Sequence, residues 1–244
     1  VITEMKLTFR WYGPQDPVTL EQIRQIPMMS GIVSAVYDVA PGGVWSEQSI
    51  GSIKNAAAVN GLEFEVVESL PVSEEIKLGA RGADRFIEHY CENIRRLAKA
   101  GVKCICYNFM PVFDWLRSEL AHRHADGSNA LAYDERTVLQ MNPLTSELSL
   151  PGWDESYTKD QLKTLLAQYA DLDENRLFAN LQTFLEAVIP VARENGVYMA
   201  IHPDDPPWSV FGLPRIITDL QHIKRFLKLA DDPFNGLTFC AGSL

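Results

Sequence analysis

Short β-rich runs alternate with amphipathic stretches along this 244-residue chain. Runs of β-branched and aromatic residues predict strands at about Leu7–Tyr12, Ile32–Asp38, Phe64–Ser69, Lys103–Phe109, Tyr198–His202 and Leu237–Cys240. The stretches between them have helical periodicity and readable ends. Thr19-x-x-Gln22 is a capping box that opens a first helix, and Ser46 caps a second that ends near Gly61. Phe86, Tyr90, Ile94 and Leu97 recur at helical spacing, with Gly101 as the stop. Leu177, Leu181, Phe184 and Val188 mark a further helix that carries Pro190 as a kink and ends at Gly196. Thr218-x-x-Gln221 predicts the cap of a helix bearing Leu220, Ile223 and Leu227.

One joint recurs where helix gives way to strand: Asn60-Gly61, Ala100-Gly101, Asn195-Gly196 and Asn235-Gly236. A left-handed residue there ends the helix and turns the chain into the next strand. Strand–helix alternation of this kind is the pattern of parallel α/β architecture. Between Met110 and Leu172 the rhythm breaks, and about sixty residues rich in Pro, Gly, Ser, Asp and Trp carry only short helical pieces. Such a stretch reads as a lid-like insertion at about 110–172 within a single domain, or as peripheral padding of the scaffold. Six predicted strands fit either an open doubly wound sheet or a (β/α)₈ barrel, which closes with eight. The barrel is the reading taken here, with strands one to six present in this sequence and strands seven and eight missing from it.

Composition narrows the partners. The chain is 46% hydrophobic and 22% charged, with a formal net charge of −10. That balance suits a folded domain with an ordinary core, and it disfavours nucleic acid and anionic membranes, both of which need a positive patch. No apolar run approaches the roughly 20 residues of a membrane span, and no secretory signal layout opens the chain. Val1–Glu4 read as a leader or remnant ahead of Met5. The four cysteines, Cys91, Cys104, Cys106 and Cys240, form no C-x-x-C pair, which fits reduced thiols in a cytoplasmic protein. Phosphate loops, dinucleotide fingerprints and a serine-hydrolase elbow are all absent from the sequence.

In a barrel of this kind the site lies where strands end. Those positions hold Arg10-Trp11-Tyr12-Gly13, Glu68-Ser69, Asn108, His202-Pro203-Asp204-Asp205 and Cys240, polar where apolar residues would serve the core. His202 and Cys240 end successive strands, and imidazole and thiolate both suit a divalent transition metal. Read singly, His202 is a structural hydrogen bonder and Cys240 a small core residue; read together, they are candidate ligands. Arg10 can pair with a substrate carboxylate or with an acid on the rim. Trp11 and Trp208 can wall a sugar pocket or simply pack. Asp204 and Asp205 can orient His202, bind substrate or form a turn. Cys104 and Cys106 read as core, and His89, His122, His124 and His222 as surface or structural.

The same motifs resemble those of the mannonate dehydratase family. The resemblance runs in order through Thr8-Phe9-Arg10-Trp11-Tyr12-Gly13, Val66-Val67-Glu68-Ser69, Cys106-Tyr107-Asn108-Phe109-Met110-Pro111 and Asp126-Gly127-Ser128. It continues through His202-Pro203-Asp204-Asp205-Pro206-Pro207, Gly212-Leu213-Pro214-Arg215 and Cys240-Ala241-Gly242-Ser243. It implies a xylose-isomerase-like barrel that dehydrates D-mannonate to 2-keto-3-deoxy-D-gluconate in hexuronate catabolism, using Mn²⁺ or Fe²⁺. Metal binding would then fall on His202 and Cys240, and substrate anchoring on Arg10, Trp11, Ser69 and Asn108. Glu68 and Asp204 would contact hydroxyls or orient ligands. The family's second metal-binding His and its Asp-His pair lie on strands seven and eight, so no residue here is assigned as catalytic acid or base. A metal-dependent sugar isomerase or epimerase on the same barrel is the rival activity, and a sugar-acid-binding fragment without turnover the rival from another class. The expected partners are a sugar acid and further copies of the same chain.

Overall fold

A computed structural model describes residues 5–144 and 157–243, so the leader reading of Val1–Glu4 and positions 145–156 of the insertion lie outside the described residues. In chain order the elements are β1 (Leu7–Arg10), α1 (Leu20–Arg24), β2 (Met29–Ser34), α2 (Glu47–Val59), β3 (Glu63–Glu68), α3 (Glu74–Leu78), α4 (Ala83–Ala100) and β4 (Cys104–Tyr107). Then follow β5 (Glu119–Arg123), β6 (Asn129–Ala132), α5 (Glu135–Gln140), α6 (Lys159–Tyr169), α7 (Glu174–Glu194), β7 (Tyr198–Ile201), α8 (Leu220–Leu229) and β8 (Asn235–Leu237).

Six strands form one sheet in the order β1-β2-β3-β4-β7-β8, every neighbouring pair parallel. Each new strand therefore joins the same growing edge, and the order never reverses. A doubly wound sheet needs such a reversal; a (β/α)₈-type barrel does not. The fold is α/β of this singly wound, barrel type. Strands β5 and β6 form a separate antiparallel hairpin inside the insertion.

The pleat sorts the strands' side chains into two environments. Val67, Ile105, Tyr107, Met199 and Ile201 are all fully buried, on the side of the sheet that the helices cover. There Phe184 of α7 meets Tyr90 edge-on at 4.9 Å and lies 5.7 Å from Tyr107 and 5.9 Å from Phe109. The alternate positions, Arg10, Glu68, Cys106, Asn108 and His202, share the opposite side and carry the polar chemistry.

Helix ends follow the sequence with a few departures. The Thr19–Gln22 capping box forms on both sides, and Ser46 accepts from Ser49 N–H. Gly61, Gly101 and Gly196 take φ of +67°, +100° and +67°, the left-handed turn their joints predict. The fourth joint does not behave so: Asn235-Gly236 lies inside β8, and α8 ends earlier, at Leu229. Asp219, not Thr218, caps α8, because its carboxylate accepts from both Gln221 and His222 N–H while Thr218 Oγ1 bonds the His222 ring. The buried anchor of that helix is Phe226; Leu220 and Leu227 are exposed. Helix α3 was not expected, although Ser73, the Glu74-Glu75 first turn and Gly79 at φ +60° are its start and stop signals.

A buried polar knot fastens the insertion to the barrel. Lys77 Nζ donates to Glu74 Oε1 at 2.7 Å and to the Met110 carbonyl at 2.8 Å. Glu74 Oε2 accepts from the Tyr169 hydroxyl at 2.6 Å and from Val112 N–H at 3.2 Å. One carboxylate thus ties α3, the segment after β4, and α6. Because Phe184 fills the centre of the helix–sheet interface, Phe184→Ala should cost about 3–5 kcal/mol of stability. Chemical denaturation would report this as a lower midpoint at unchanged slope; a loss under 1 kcal/mol would show that the aromatic cluster is not the core's anchor.

Candidate active site

A cavity of about 520 Å³ opens at the C-terminal ends of the parallel strands. Arg10, Glu68, Ser69, Asn108 and His202 all line it, drawn from β1, β3, β4 and β7 or the residues just beyond them. Strand parity explains the group, since each strand sends alternate residues to this side. The same rule explains an exclusion. Trp11 follows Arg10 directly, so it turns to the other face, where it is buried beside α2.

Arg10 Nη1 lies 3.3 Å from Glu68 Oε2, and its guanidinium stacks over the Tyr12 ring at 4.9 Å. Its Nε is buried and has no hydrogen-bond partner among the described residues. Leaving such a donor unpaired is costly, and the rest of the side chain keeps part of its surface open at the cavity. Asn108 Oδ1 accepts from Met110 N–H at 3.2 Å, which fixes the amide and leaves its NH₂ group for a ligand. Asp205 also lines the cavity, held bidentately by Arg117 at 2.7 and 2.8 Å. Sequence reasoning missed Arg117, and no local signal marks it, because the pair spans 88 residues.

His202 Nδ1 lies 2.7 Å from the Pro203 carbonyl oxygen. A carbonyl only accepts, so Nδ1 carries the proton, and in the neutral ring Nε2 keeps its lone pair. Asp204, its near neighbour, is fully buried and does not line the cavity. Its Oδ2 accepts from the backbone N–H of Ile216 at 2.5 Å and of Ile217 at 2.8 Å, holding the following loop. Burial pushes the Asp204 carboxyl up, opposed by the nearby Arg215 and those backbone donors. Cys240 lies past the end of β8, half-buried, its Sγ accepting from the Ser243 hydroxyl at 3.4 Å. It is not among the residues that line the cavity. Trp208 packs edge-on against Tyr133 and donates to its hydroxyl at 3.1 Å.

Cys106 is buried at the cavity floor, where its Sγ lies 3.2 Å from Thr238 Oγ1. Desolvation pushes its thiol up to about 12. Among the described residues, no group of three or more His, Cys, Asp and Glu is arranged to hold a metal ion. Imidazole and thiol are donor types that suit a divalent transition ion, but Cys240 does not line the cavity that holds His202.

The fold places the chain among the parallel-barrel enzymes, whose sites lie at strand ends, and its strand-end cavity holds the Arg10–Glu68 ion pair and His202. The chain belongs to the D-mannonate dehydratase (UxuA) family, whose sequence profile matches residues 5–244. It is 53% identical to a mannonate dehydratase of Streptococcus uberis over 239 residues, which cover 98% of this chain and 69% of that protein. It is 53% identical to mannonate dehydratase 2 of Halalkalibacterium halodurans over 240 residues, covering 98% and 70%. The crystal structure of mannonate dehydratase from Streptococcus suis serotype 2 superposes with a TM-score of 0.90 at 46% identity, over 99% of this chain and 65% of that one. The chain thus spans about two thirds of the length of these relatives. A D-psicose 3-epimerase from Clostridium cellulolyticum H10 shares 13% identity at a TM-score of 0.50, over 95% of this chain and 62% of that one, a likeness of fold alone.

Burial makes the Cys106 thiol a weaker acid than a free cysteine. A thiol pushed upward stays protonated at ordinary pH, and the thiolate is the reactive form. Iodoacetamide at pH 8 should therefore modify Cys240 well before Cys106 in the folded protein, by tenfold or more in rate. Peptide mass mapping over time would check this; equal rates would mean that Cys106 is neither buried nor neutral.

Proposed function

We propose that the protein removes water from D-mannonate to give 2-keto-3-deoxy-D-gluconate, a step of hexuronate catabolism in the cytoplasm, and that it works as a homo-oligomer. The reading is carried by the cavity in which Arg10, whose buried Nε lacks a partner among the described residues, joins Glu68, Ser69, Asn108 and His202. Membership of the dehydratase family supports the same reaction.

In this account Arg10 takes the substrate carboxylate, since a guanidinium offers donors in a fork that matches it. Glu68, already beside Arg10, keeps that guanidinium in place and accepts from a nearby hydroxyl. Ser69 and the Asn108 amide donate to hydroxyls further along the sugar chain. Asp205, held by Arg117, adds a fixed acceptor in the cavity. Trp11 and Asp204 act from behind, by packing against α2 and by holding the Ile216–Ile217 backbone. The reaction breaks the C2–H and C3–O bonds, releases water, and leaves an enol that tautomerises to the 2-keto acid.

A divalent Mn or Fe ion would be held by His202, through Nε2, and by Cys240. It would supply Lewis acidity toward the negative charge that develops as the C2 proton leaves. Thiolate softness alone would also admit Zn²⁺. Asp114 and Trp115 of the insertion wall part of the cavity, which supports a role for the insertion as a cover over bound substrate.

The direct test is to incubate the purified protein with D-mannonate and Mn²⁺ and measure formation of a 2-keto-3-deoxy acid. Its formation supports the proposal; an isomeric sugar acid without loss of water would mean an isomerase, and no product would overturn the activity. Arg10→Ala should raise KM by roughly 10- to 100-fold, as expected for a lost charge-assisted contact of about 1.5–3 kcal/mol. His202→Ala should abolish metal-dependent turnover, and a chelator should do the same reversibly. If the insertion covers the site, mannonate should slow its cleavage by a protease; an unchanged rate would contradict that role.

A further inference from the structure

The β5–β6 hairpin stands off the barrel. All five residues of β5 and three of the four in β6 are exposed. Leu120 and Leu131 are about half exposed, at 50% and 52%. The hairpin is fastened at its base, where Tyr133 meets Trp208 and Asp134 N–H donates to Ser118 Oγ at 2.8 Å. A two-stranded hairpin is marginal in water by itself, and its edges leave backbone N–H and C=O groups without ladder partners. An ordered arm of this kind gains from a strand that completes it.

The β5 sequence indicates which strand. It reads Glu119-Leu120-Ala121-His122-Arg123, with opposite charges at its two ends. When β5 is laid antiparallel against β5 of a second copy, with the two-fold axis through Ala121, Glu119 falls opposite Arg123 at both ends. Leu120 then faces His122, and Ala121 meets its own symmetry mate. Opposite charges across an antiparallel pair stabilise it and like charges destabilise it. A two-fold contact must also be self-complementary, as this one is. Arg123 has no ion-pair partner among the described residues, and Glu119 has only the exposed His122, at 3.1 Å. The other edge, Asn129-Ala130-Leu131-Ala132, has no charges to set such a register. The chain's net charge of −10 makes two copies repel at a distance, so an attractive contact has to be local and matched.

We propose that the exposed edge of β5 is an interaction surface for a second copy of this chain. The two hairpins join there into a four-stranded antiparallel sheet, β6-β5-β5-β6, pinned by two Glu119–Arg123 pairs. The inference rests on the homo-oligomer reading above and not on the activity.

Charge swapping tests it. The solution mass of the protein would be measured by light scattering at micromolar concentration for the native chain, Glu119→Arg, Arg123→Glu and the double swap. Each single swap sets like charges against each other at both ends and should raise the dissociation constant at least about tenfold. The double swap restores two opposite pairs within one variant. An equimolar mixture of the two single variants does so between unlike chains, and both should recover the native mass. Circular dichroism should be unchanged throughout, because the swapped residues are exposed. A monomeric native chain would overturn the homo-oligomer reading itself. An oligomer that ignores the single swaps, or that the swaps dissociate without rescue by the double swap or the mixture, would overturn this surface alone.

Discussion

Ile105 and Tyr107 lie on the helix side of the sheet while Cys106 and Asn108 lie on the other, because successive residues of a strand point opposite ways. Everything distinctive about this protein depends on that alternation being kept in register across parallel strands. On the helix side it builds an apolar layer centred on Phe184. On the other it brings Arg10, Glu68, Asn108 and His202, far apart in sequence, to one cavity. A one-residue slip in any strand would exchange the two sets, burying a charge against the helices and turning a core residue into the cavity. The packing of the core and the composition of the site are therefore a single constraint.

Polar groups outside the cavity hold its walls. Glu74 is the clearest case, since its two oxygens serve Lys77, Tyr169 and Val112 from three separate segments. Asp204 does similar work beyond β7, accepting two backbone N–H groups while Arg215 donates to the Phe113 carbonyl at 2.7 Å. These bonds fix the loops after β4 and β7, although Asp204 Oδ1 and Arg215 Nε and Nη1 have no hydrogen-bond partner among the described residues. Arg117 and Asp205 extend the same logic into the site, linking the insertion to the cavity wall.

Local chemistry made much of this legible in the sequence. The Thr19–Gln22 capping box, the glycines at three helix–strand joints and the helical spacing of Tyr90, Ile94 and Leu97 act within a turn or two, and the chain obeys them. Departures came where two local signals competed. Asp219 outbid Thr218 as a cap because a carboxylate accepts two N–H groups at once. Asn235-Gly236 looked like the other joints, yet it belongs to β8 because the preceding helix had already ended. Among the candidates chosen by strand position, Arg10, Glu68, Ser69, Asn108 and His202 line the cavity, whereas Trp11 and Asp204 differ by parity and burial and Cys240 lies outside the lining. The Arg117–Asp205 pair and the Glu74 knot were invisible, since each depends on contacts between distant segments. The β5–β6 hairpin did have a signal, Asp126-Gly127 with Gly127 at φ +86°, hidden by the irregular composition around it.

The central claim is that the strand-end cavity receives a sugar acid beside a divalent ion. A crystal structure of the protein grown with Mn²⁺ and D-mannonate would test it most directly. The account predicts an ion bonded to His202 Nε2 and Cys240 Sγ, with the substrate carboxylate on the Arg10 guanidinium. An ion held elsewhere, or a sugar acid lodged away from Arg10, would contradict it.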